Sequence, residues 1–329
     1  SSRPPPQSSS RPPPQAKRTT SSADSFSPGP EAAQRASCDQ SGTQMTLFIA
    51  AACTFSVAHA LRTPPRVRSS SALFASGGPP QYDKIDATLV ANERVGRATN
   101  LLRLESDAPL DYRAGHVLAL EVEEDGEWLR GPYTVSRATK TTFDVVIRVC
   151  GRKSEVMAAA PVGSRWRFGG KFHVPILEGV AERASNVVCL ATGTGLGPVL
   201  GFAEEALEAS TLKLTVLAGF REAEDVCCAA AVEQLREAYP ERFECRYVLS
   251  SAEGRVSSPD VLASVAQTAD AETHFHLIGN GAMVNEWKAG LAKAGVPEDL
   301  VTTETYFNHK VEADDDVVDR IAAQVVAAR

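Results

Sequence analysis

The sequence predicts two folded domains in series: an antiparallel six-stranded β-barrel, then a doubly wound α/β domain with a parallel sheet. Three features carry this reading. Residues 80–180 break into short β-like runs separated by turn residues, with few helical windows. Residues 184–310 alternate strand-like and helix-like segments in regular succession. At the head of that second region, Asn186 to Leu207 passes from an apolar run through a glycine turn into a helical period. A chain of 329 residues has room for two such domains.

The segments that precede the barrel read as an address rather than a fold. Residues 1–44 are rich in Ser, Pro and Arg, repeat SSRPPPQ at 1–7 and 9–15, and lack any apolar period. They are expected to be a disordered extension or upstream sequence from a gene model, since Met45 opens a segment like a fresh N-terminus. Residues 45–60 form an apolar stretch ending Ala58-His59-Ala60, a signal-peptidase-like site without a basic flank ahead of it. Residues 61–79 carry Arg62, Arg66 and Arg68, are rich in serine and contain no acid, as in transit peptides. The pair resembles the bipartite leader that directs proteins to complex plastids in algae; the secretory pathway is the alternative.

Charge and cysteines exclude several classes. Residues 1–76 hold eight Lys/Arg against three Asp/Glu, which leaves residues 77–329 with 26 basic and 38 acidic side chains. So acidic a body argues against a nucleic-acid partner. The seven cysteines show no C-x-x-C spacing, so neither a zinc site nor an iron–sulfur cluster is expected. No apolar run reaches the roughly 18 residues of a membrane span.

In the barrel region the expected strands are Lys84–Ala91, Thr99–Ser106, His116–Glu123, Gly131–Arg137, Thr142–Val149 and Ser164–Phe168. Two motifs stand out. Arg130, Tyr133 and Thr134 place a cation, an aromatic ring and a hydroxyl together, which suits a flavin: pyrophosphate for the arginine, ring packing for the tyrosine, a hydrogen bond near N5 for the threonine. The same residues read equally as a strand start with an exposed arginine. Cys150-Gly151-Arg152-Lys153-Ser154 follows a strand and precedes the helical stretch Glu155–Ala160. Gly151 and Ser154 there suit an anion at a helix N-terminus, or Ser154 is a plain helix cap.

The second region opens with Val187–Ala191, an apolar run typical of a strand buried on both faces. The turn Thr192-Gly193-Thr194-Gly195-Leu196-Gly197-Pro198 then meets a helix N-terminus, where unpaired N–H groups and the helix dipole favour a phosphate. Its G-x-G-x-G spacing is not the dinucleotide fingerprint. Strands are expected at Leu212–Gly219, Phe243–Ser250, His274–Ile278 and Leu300–Thr305, with helices at Val226–Glu237, Pro259–Ala266 and onward from Gly279 to Ala294. His274 and His276 share one face of a strand and suit its inner side better than a metal. Met283 and Trp287 suit a helix core face. Residues 311–329 carry Val317, Ile321 and Val325 at i, i+4, i+8 behind three aspartates, which predicts an amphipathic C-terminal helix.

These motifs, in this order, resemble the ferredoxin–NADP reductase superfamily of flavoproteins. The family order R-x-Y-[ST], G-x-x-S, G-T-G-[IL]-x-P, C-G-x-x-x-M and E-x-[YF] meets Arg130/Tyr133/Thr134, Gly151/Ser154, Gly193 to Pro198, Gly279/Met283 and Glu304/Tyr306. The stretches IGNGAMVNEW and ETYF look most like the bacterial flavodoxin/ferredoxin reductase branch. The resemblance implies FAD on Arg130, Tyr133, Thr134, Gly151 and Ser154, and a nicotinamide nucleotide on Thr192 to Pro198, Gly279 and Met283. It implies Glu304 and Tyr306 beside the flavin–nicotinamide contact with Thr134. Arg221 and Arg255 match two of the three arginines that grip a 2′-phosphate, which favours NADP over NAD; the third is replaced by Ser251-Ala252.

The sequence also departs from the family. Arg130 and Tyr133 are one residue too far apart, and Ile278 stands where the family has cysteine. The expected activity is hydride transfer between NAD(P)H and FAD, with electrons passing to or from a small carrier such as ferredoxin or flavodoxin. The rivals are an NADH-dependent cytochrome or quinone reductase and a non-catalytic flavin- and NAD(P)-binding subunit.

Overall fold

The computed structural model describes residues 81–328. The expectations for 1–44, 45–60 and 61–79 lie outside the described residues. Both domains belong to one compact unit.

The first domain is a closed barrel of β1 (Ile85–Gly96), β2 (Thr99–Ser106), β3 (Val117–Glu124), β4 (Glu127–Ala138), β5 (Thr142–Arg148) and β6 (Arg165–Gly169), in the order β1-β2-β5-β4-β3-β6. Six antiparallel strands stand where six were expected, four of them within one residue of the expected ends and two longer. β1 runs on to Gly96 because its alternation slips at a bulge between Leu89 and Ala91, which hides the continuation from a period-2 reading. β4 starts at Glu127 because Asp125 and Gly126 both adopt positive φ (50° and 81°) and make a two-residue hairpin. The barrel interior is filled by Leu89, Leu102, Leu104, Phe143, Trp166 and Phe168. Between β5 and β6 lies α1 (Arg152–Ala159), and after β6 a single turn, α2 (Ile176–Gly179).

The second domain is a five-stranded parallel sheet of β7 (Asn186–Thr192), β8 (Lys213–Phe220), β9 (Phe243–Leu249), β10 (His274–Asn280) and β11 (Val301–Phe307), ordered β11-β10-β7-β8-β9. The helices are α3 (Leu196–Ala209), α4 (Ala229–Ala238), α5 (Pro259–Thr268), α6 (Gly281–Lys293) and α7 (Asp315–Ala328). One apolar cluster joins the sheet to α3 and α4; another joins its opposite face to α5, α6 and α7. α4 begins later than expected because Cys228 is left-handed (φ 58°) and Ala223–Asp225 forms a separate tight turn.

Two buried features fit the sequence reading. His274 and His276 each place a ring nitrogen 2.9 and 3.0 Å from the hydroxyl of Thr302, and burial lowers them to about 4 and about 3. α7 buries Val317, Ile321 and Val325, and Ile321 packs on Gly290 of α6: a Cβ there would lie 2.7 Å from Ile321 Cβ.

The two domains meet where α3 packs on the barrel. Gly201 touches the carbonyl of Ser136 so closely that any side chain would collide with it. A Cβ at Gly197 would lie 2.6 Å from Val146 Cγ2 and 2.7 Å from Ser136 Oγ. Around this contact run ion pairs between the domains: Arg97 with Glu222 and Asp225 (2.8 Å each), Arg113 with Glu205 (2.9 Å) and Arg137 with Glu204 (2.7 Å).

Candidate active site

The sheet reverses direction between β7 and β10: β8 and β9 extend one way from β7, then the chain returns to add β10 on the other side. Crevices form at the carboxyl ends of strands at such a point. Here the crevice also faces the barrel, and the two together enclose a cleft of about 1170 Å³. That exceeds the range of about 300–1,000 Å³ usual for one small ligand, so there is room for a cofactor and a second nucleotide.

The barrel wall of the cleft includes Val117, Tyr133, Thr134, Val146, Gly151, Lys153 and Ser154. Tyr133 and Thr134 lie on β4 and bring a ring and a hydroxyl to one edge. Gly151 caps α1 without a side-chain hydrogen bond and has open space where a Cβ would be, so its backbone is accessible to a ligand. Ser154 is nearby, but its hydroxyl is engaged: it accepts from the amide of Cys150 (2.9 Å) and donates to the carbonyl of Gly151 (2.8 Å). It holds the turn in shape from inside α1; the helix cap is Gly151, not Ser154 as the cap reading expected.

Arg130 is a correction. It does not line the cleft; its guanidinium lies 4.7 Å from the centroid of the Tyr82 ring. The cations on the barrel side of the cleft are Arg148, Arg152 and Lys153.

On the sheet side, Thr192, Gly193 and Thr194 line the cleft after β7. Gly193 has φ +58° and nothing within 4 Å of a notional Cβ, so it bares its backbone to the opening. Gly195, Leu196, Gly197 and Pro198 are buried behind this turn, and the cleft wall does not include them. Gly195 backs onto the carbonyl of Ile278, and Gly197 onto the barrel. Their small size serves packing of α3 between β10 and the barrel. Gly279, with φ +124°, presses against Thr192, whose Oγ1 accepts from the amide of Asn280 at 2.8 Å, so this glycine brings the ends of β7 and β10 together. Ile278 is fully buried behind it.

The far rim holds Arg221, Arg255, Met283 and Glu286. The Arg221 side chain is 81% exposed, with only a 4.0 Å contact to Glu222. Arg255 differs: it lies 3.6 Å from Glu286, a carboxylate that α6 buries and that burial shifts upward.

The two walls touch at one point. Thr134 of β4 donates its hydroxyl to Oε1 of Glu304 on β11 at 2.5 Å. Glu304 is 3% exposed, its Oε2 has no partner, and burial pushes its carboxyl up to about 8. Tyr306, two residues on, lines the same junction, and burial and the neighbouring Glu304 raise its phenol further. Glu304, Tyr306 and Thr134 are therefore brought together as their candidacy required, from residues 170 apart in sequence. Phe307 completes the edge.

The residues fit a flavin and a nicotinamide nucleotide on these observations: an open glycine turn on each wall, a ring and hydroxyl between them, and a buried carboxyl with one oxygen unpartnered. Such a constellation suits the orientation of two flat rings and control of a proton.

Comparison with known proteins agrees in fold. Residues 189–288 match the family of oxidoreductase NAD-binding domains. The ferredoxin reductase component of 3-ketosteroid-9-alpha-monooxygenase from Mycolicibacterium smegmatis is 24% identical over 202 residues, 60% of this chain and 56% of that protein. NADH-cytochrome b5 reductase 2 from Aspergillus niger is 33% identical over 36% of this chain and 38% of its own length. The chain thus spans about half or less of the curated relatives it matches. Among solved structures, the Amycolatopsis cytochrome P450 reductase GcoB superposes with a TM-score of 0.58 at 20% identity, over 71% of this chain and 73% of that one. The ferredoxin-NADP+ reductase from Plasmodium falciparum with 2'P-AMP gives 0.55 at 16% identity, over 68% and 97%.

Proposed function

We propose that the chain is a member of the ferredoxin–NADP reductase superfamily, a flavoprotein reductase that moves a hydride between NAD(P)H and FAD and exchanges electrons with a small carrier protein. The observation that carries the reading is the Thr134–Glu304 contact, where the two nucleotide-sized halves of one cleft converge.

Tyr133, Thr134, Gly151 and Ser154 would hold the flavin, and Thr192 to Thr194 the nicotinamide nucleotide. When bound, FAD accepts the hydride and releases electrons one at a time. The protein's own contribution is position and charge. Tyr133 offers a flat face, and Gly193 lets a phosphate approach the backbone. Glu304 stays neutral at neutral pH because it is buried, and its bond from Thr134 engages Oε1, which leaves Oε2 to carry the proton. A neutral carboxyl there places no negative charge beside electron-rich rings.

Arg221 and Arg255 on the rim support NADPH as donor, through charge-assisted bonds to a 2′-phosphate. A specific observation favours a second reading, NADH: Arg255 is already engaged by Glu286, and the third arginine is Ser251-Ala252. Both NADH-cytochrome b5 reductases among the relatives are named for that nucleotide. Mixing the yellow protein anaerobically with each nucleotide separates the two. Faster bleaching by NADPH supports the arginine grip, and faster bleaching by NADH overturns it. Failure of both to bleach a flavin-loaded protein would leave a binding subunit.

The carrier is proposed as ferredoxin or flavodoxin, docking on a basic part of a body that is acidic overall. Delivery to a plastid is proposed from residues 45–79 alone. A fluorescent fusion of that segment found in the secretory system would overturn it.

A further inference from the structure

Two cysteines stand side by side in the segment that ties the sheet domain to the barrel. Cys227 and Cys228 end the stretch between β8 and α4, and among the described residues they are the only cysteines adjacent in sequence. Cys227 is fully buried and Cys228 partly exposed. The barrel grips this stretch from one side. Arg97 pairs with Glu222 and Asp225 and donates its amide to the carbonyl of Glu224 at 3.0 Å. A Cβ at Gly96 would lie 3.2 Å from Cys227 Cβ. From the other side, the Cys227 thiol donates to the carbonyl of Gly193, 3.8 Å away, in the glycine turn that lines the cleft.

The two thiols also face each other. A hydrogen bond from Cys227 holds the Cys228 thiol below its ordinary pKa against the cost of burial, with Arg137 adding to the effect. The same bond, and burial, raise Cys227. A thiol carries a single donor, so Cys227 serves either Gly193 or the Cys228 thiolate. Cys228 is thus the accessible nucleophile and Cys227 the second thiol behind it. Cys189 and Cys245 differ: both lie in the core, and burial raises them. The backbone adds a constraint. Cys228 caps α4 in the left-handed conformation. Consecutive Cα atoms are about 3.8 Å apart, under the roughly 4.4–6.8 Å that a disulfide spans without distortion. A bridge between neighbours must therefore twist the peptide that joins them, and such bonds are the readily reversed ones.

We propose that Cys227 and Cys228 are a reversible oxidation site for disulfide compounds, and that bridging them releases the Gly193 turn and weakens nicotinamide-nucleotide binding. The Cys228 thiolate attacks the incoming disulfide, forms a mixed disulfide and expels one thiolate, which takes up the proton that Cys228 lost. Cys227 then attacks Cys228 Sγ, and its proton leaves with the second thiolate. The incoming disulfide gains two electrons and becomes two thiols; the cysteine pair loses the same two. A bridged Cys227 has no proton left for the Gly193 carbonyl. The effect on the nucleotide rests on the reading of Gly193 above; the bridge itself does not.

The test joins a peptide mass to a binding constant. The flavin-loaded full chain is incubated with glutathione disulfide or with dithiothreitol, its free thiols are alkylated, and it is digested with trypsin. Cleavage after Arg221 and Arg236 isolates both cysteines in one peptide free of others. That peptide should carry two alkyl groups from the reduced chain and none from the oxidised chain, and dithiothreitol should restore both. Cys227→Ser should stop at the mixed disulfide and gain one glutathione. In calorimetric titrations with NADP+ and NAD+, oxidation should weaken the preferred nucleotide by about three- to tenfold. Cys228→Ser should hold its affinity through the same treatment. A peptide that keeps both thiols free would overturn the proposal and leave the nucleotide reading standing. So would a bridge without loss of affinity, or an equal loss in Cys228→Ser, which would assign the effect to another thiol such as Cys150 on the cleft wall. A reduced chain that binds neither nucleotide would overturn the nucleotide reading and with it the effect at Gly193, while the peptide masses still decide the bridge.

Discussion

Glu304 sits where a carboxyl is hardest to ionise, enclosed between β4 and β11 with one oxygen unpartnered. Its shift to about 8 lies above the usual value near 4.5, so the folded state holds a proton that the unfolded state releases. Stability contributed by this proton is complete below about pH 4.5 and declines as pH rises toward 8. Glu304→Gln should flatten that slope, which denaturant midpoints at pH 5 and pH 8.5 will show. In stopped-flow reduction, the wild-type rate should fall as pH passes about 8, when a negative charge forms beside the rings; the glutamine variant should lack that break. At this scale the sequence was a good guide to Glu304, Tyr306 and Thr134, because each belongs to a short motif. It misplaced Arg130, which lies against Tyr82 rather than in the cleft, and it passed over Lys153, since nothing local reveals that a helix residue will lie over Gly131.

Glycines of α3 and its turn divide by what they touch, which the repeated G-x-G-x-G letters conceal. Gly193 faces open space, so Gly193→Ala meets only its left-handed backbone and should cost about 1 kcal/mol. Gly201 has no room at all against Ser136, and Gly201→Ala should cost on the order of 2–3 kcal/mol by moving α3 off β4. Urea midpoints compare the two, and equal losses would contradict this division. On β10 the buried pair His274 and His276 gives the opposite pH dependence from Glu304. Both fold with pKa values far below 6.5, so the unfolded chain takes protons first, and stability falls as pH drops below about 6.5 toward 4. His276→Gln should shift the acid-unfolding midpoint to lower pH. Alternation of strand and helix made these elements legible in advance. Their ends were less so, because the β1 bulge and the left-handed Cys228 depend on neighbours distant in sequence.

In the molecule as a whole, the ion pairs that border the two domains are exposed and contribute about 0–1 kcal/mol each. Arg137→Ala should therefore be nearly silent where Gly201→Ala is not, and 0.5 M salt should move the melting temperature little. The apolar seams are another matter. α7 covers Trp287 and Leu291 of α6 with Val317, Ile321 and Val325, each worth roughly 1.5–3 kcal/mol when buried. Removing residues 312–329 should lower stability by several kcal/mol and promote aggregation, measured by melting and light scattering. Because its apolar face is used internally, α7 lends no support to a docking subunit.

Position along the chain gives α7 a further consequence, in time. The barrel is complete by Gly169 and can close while the ribosome is still making the sheet. The sheet domain cannot cover its far side until Val325 has emerged, after every other buried residue of that side has been made. Throughout that interval the nascent protein carries a finished domain and a greasy, half-built one, and it is the second that a chaperone would have to hold.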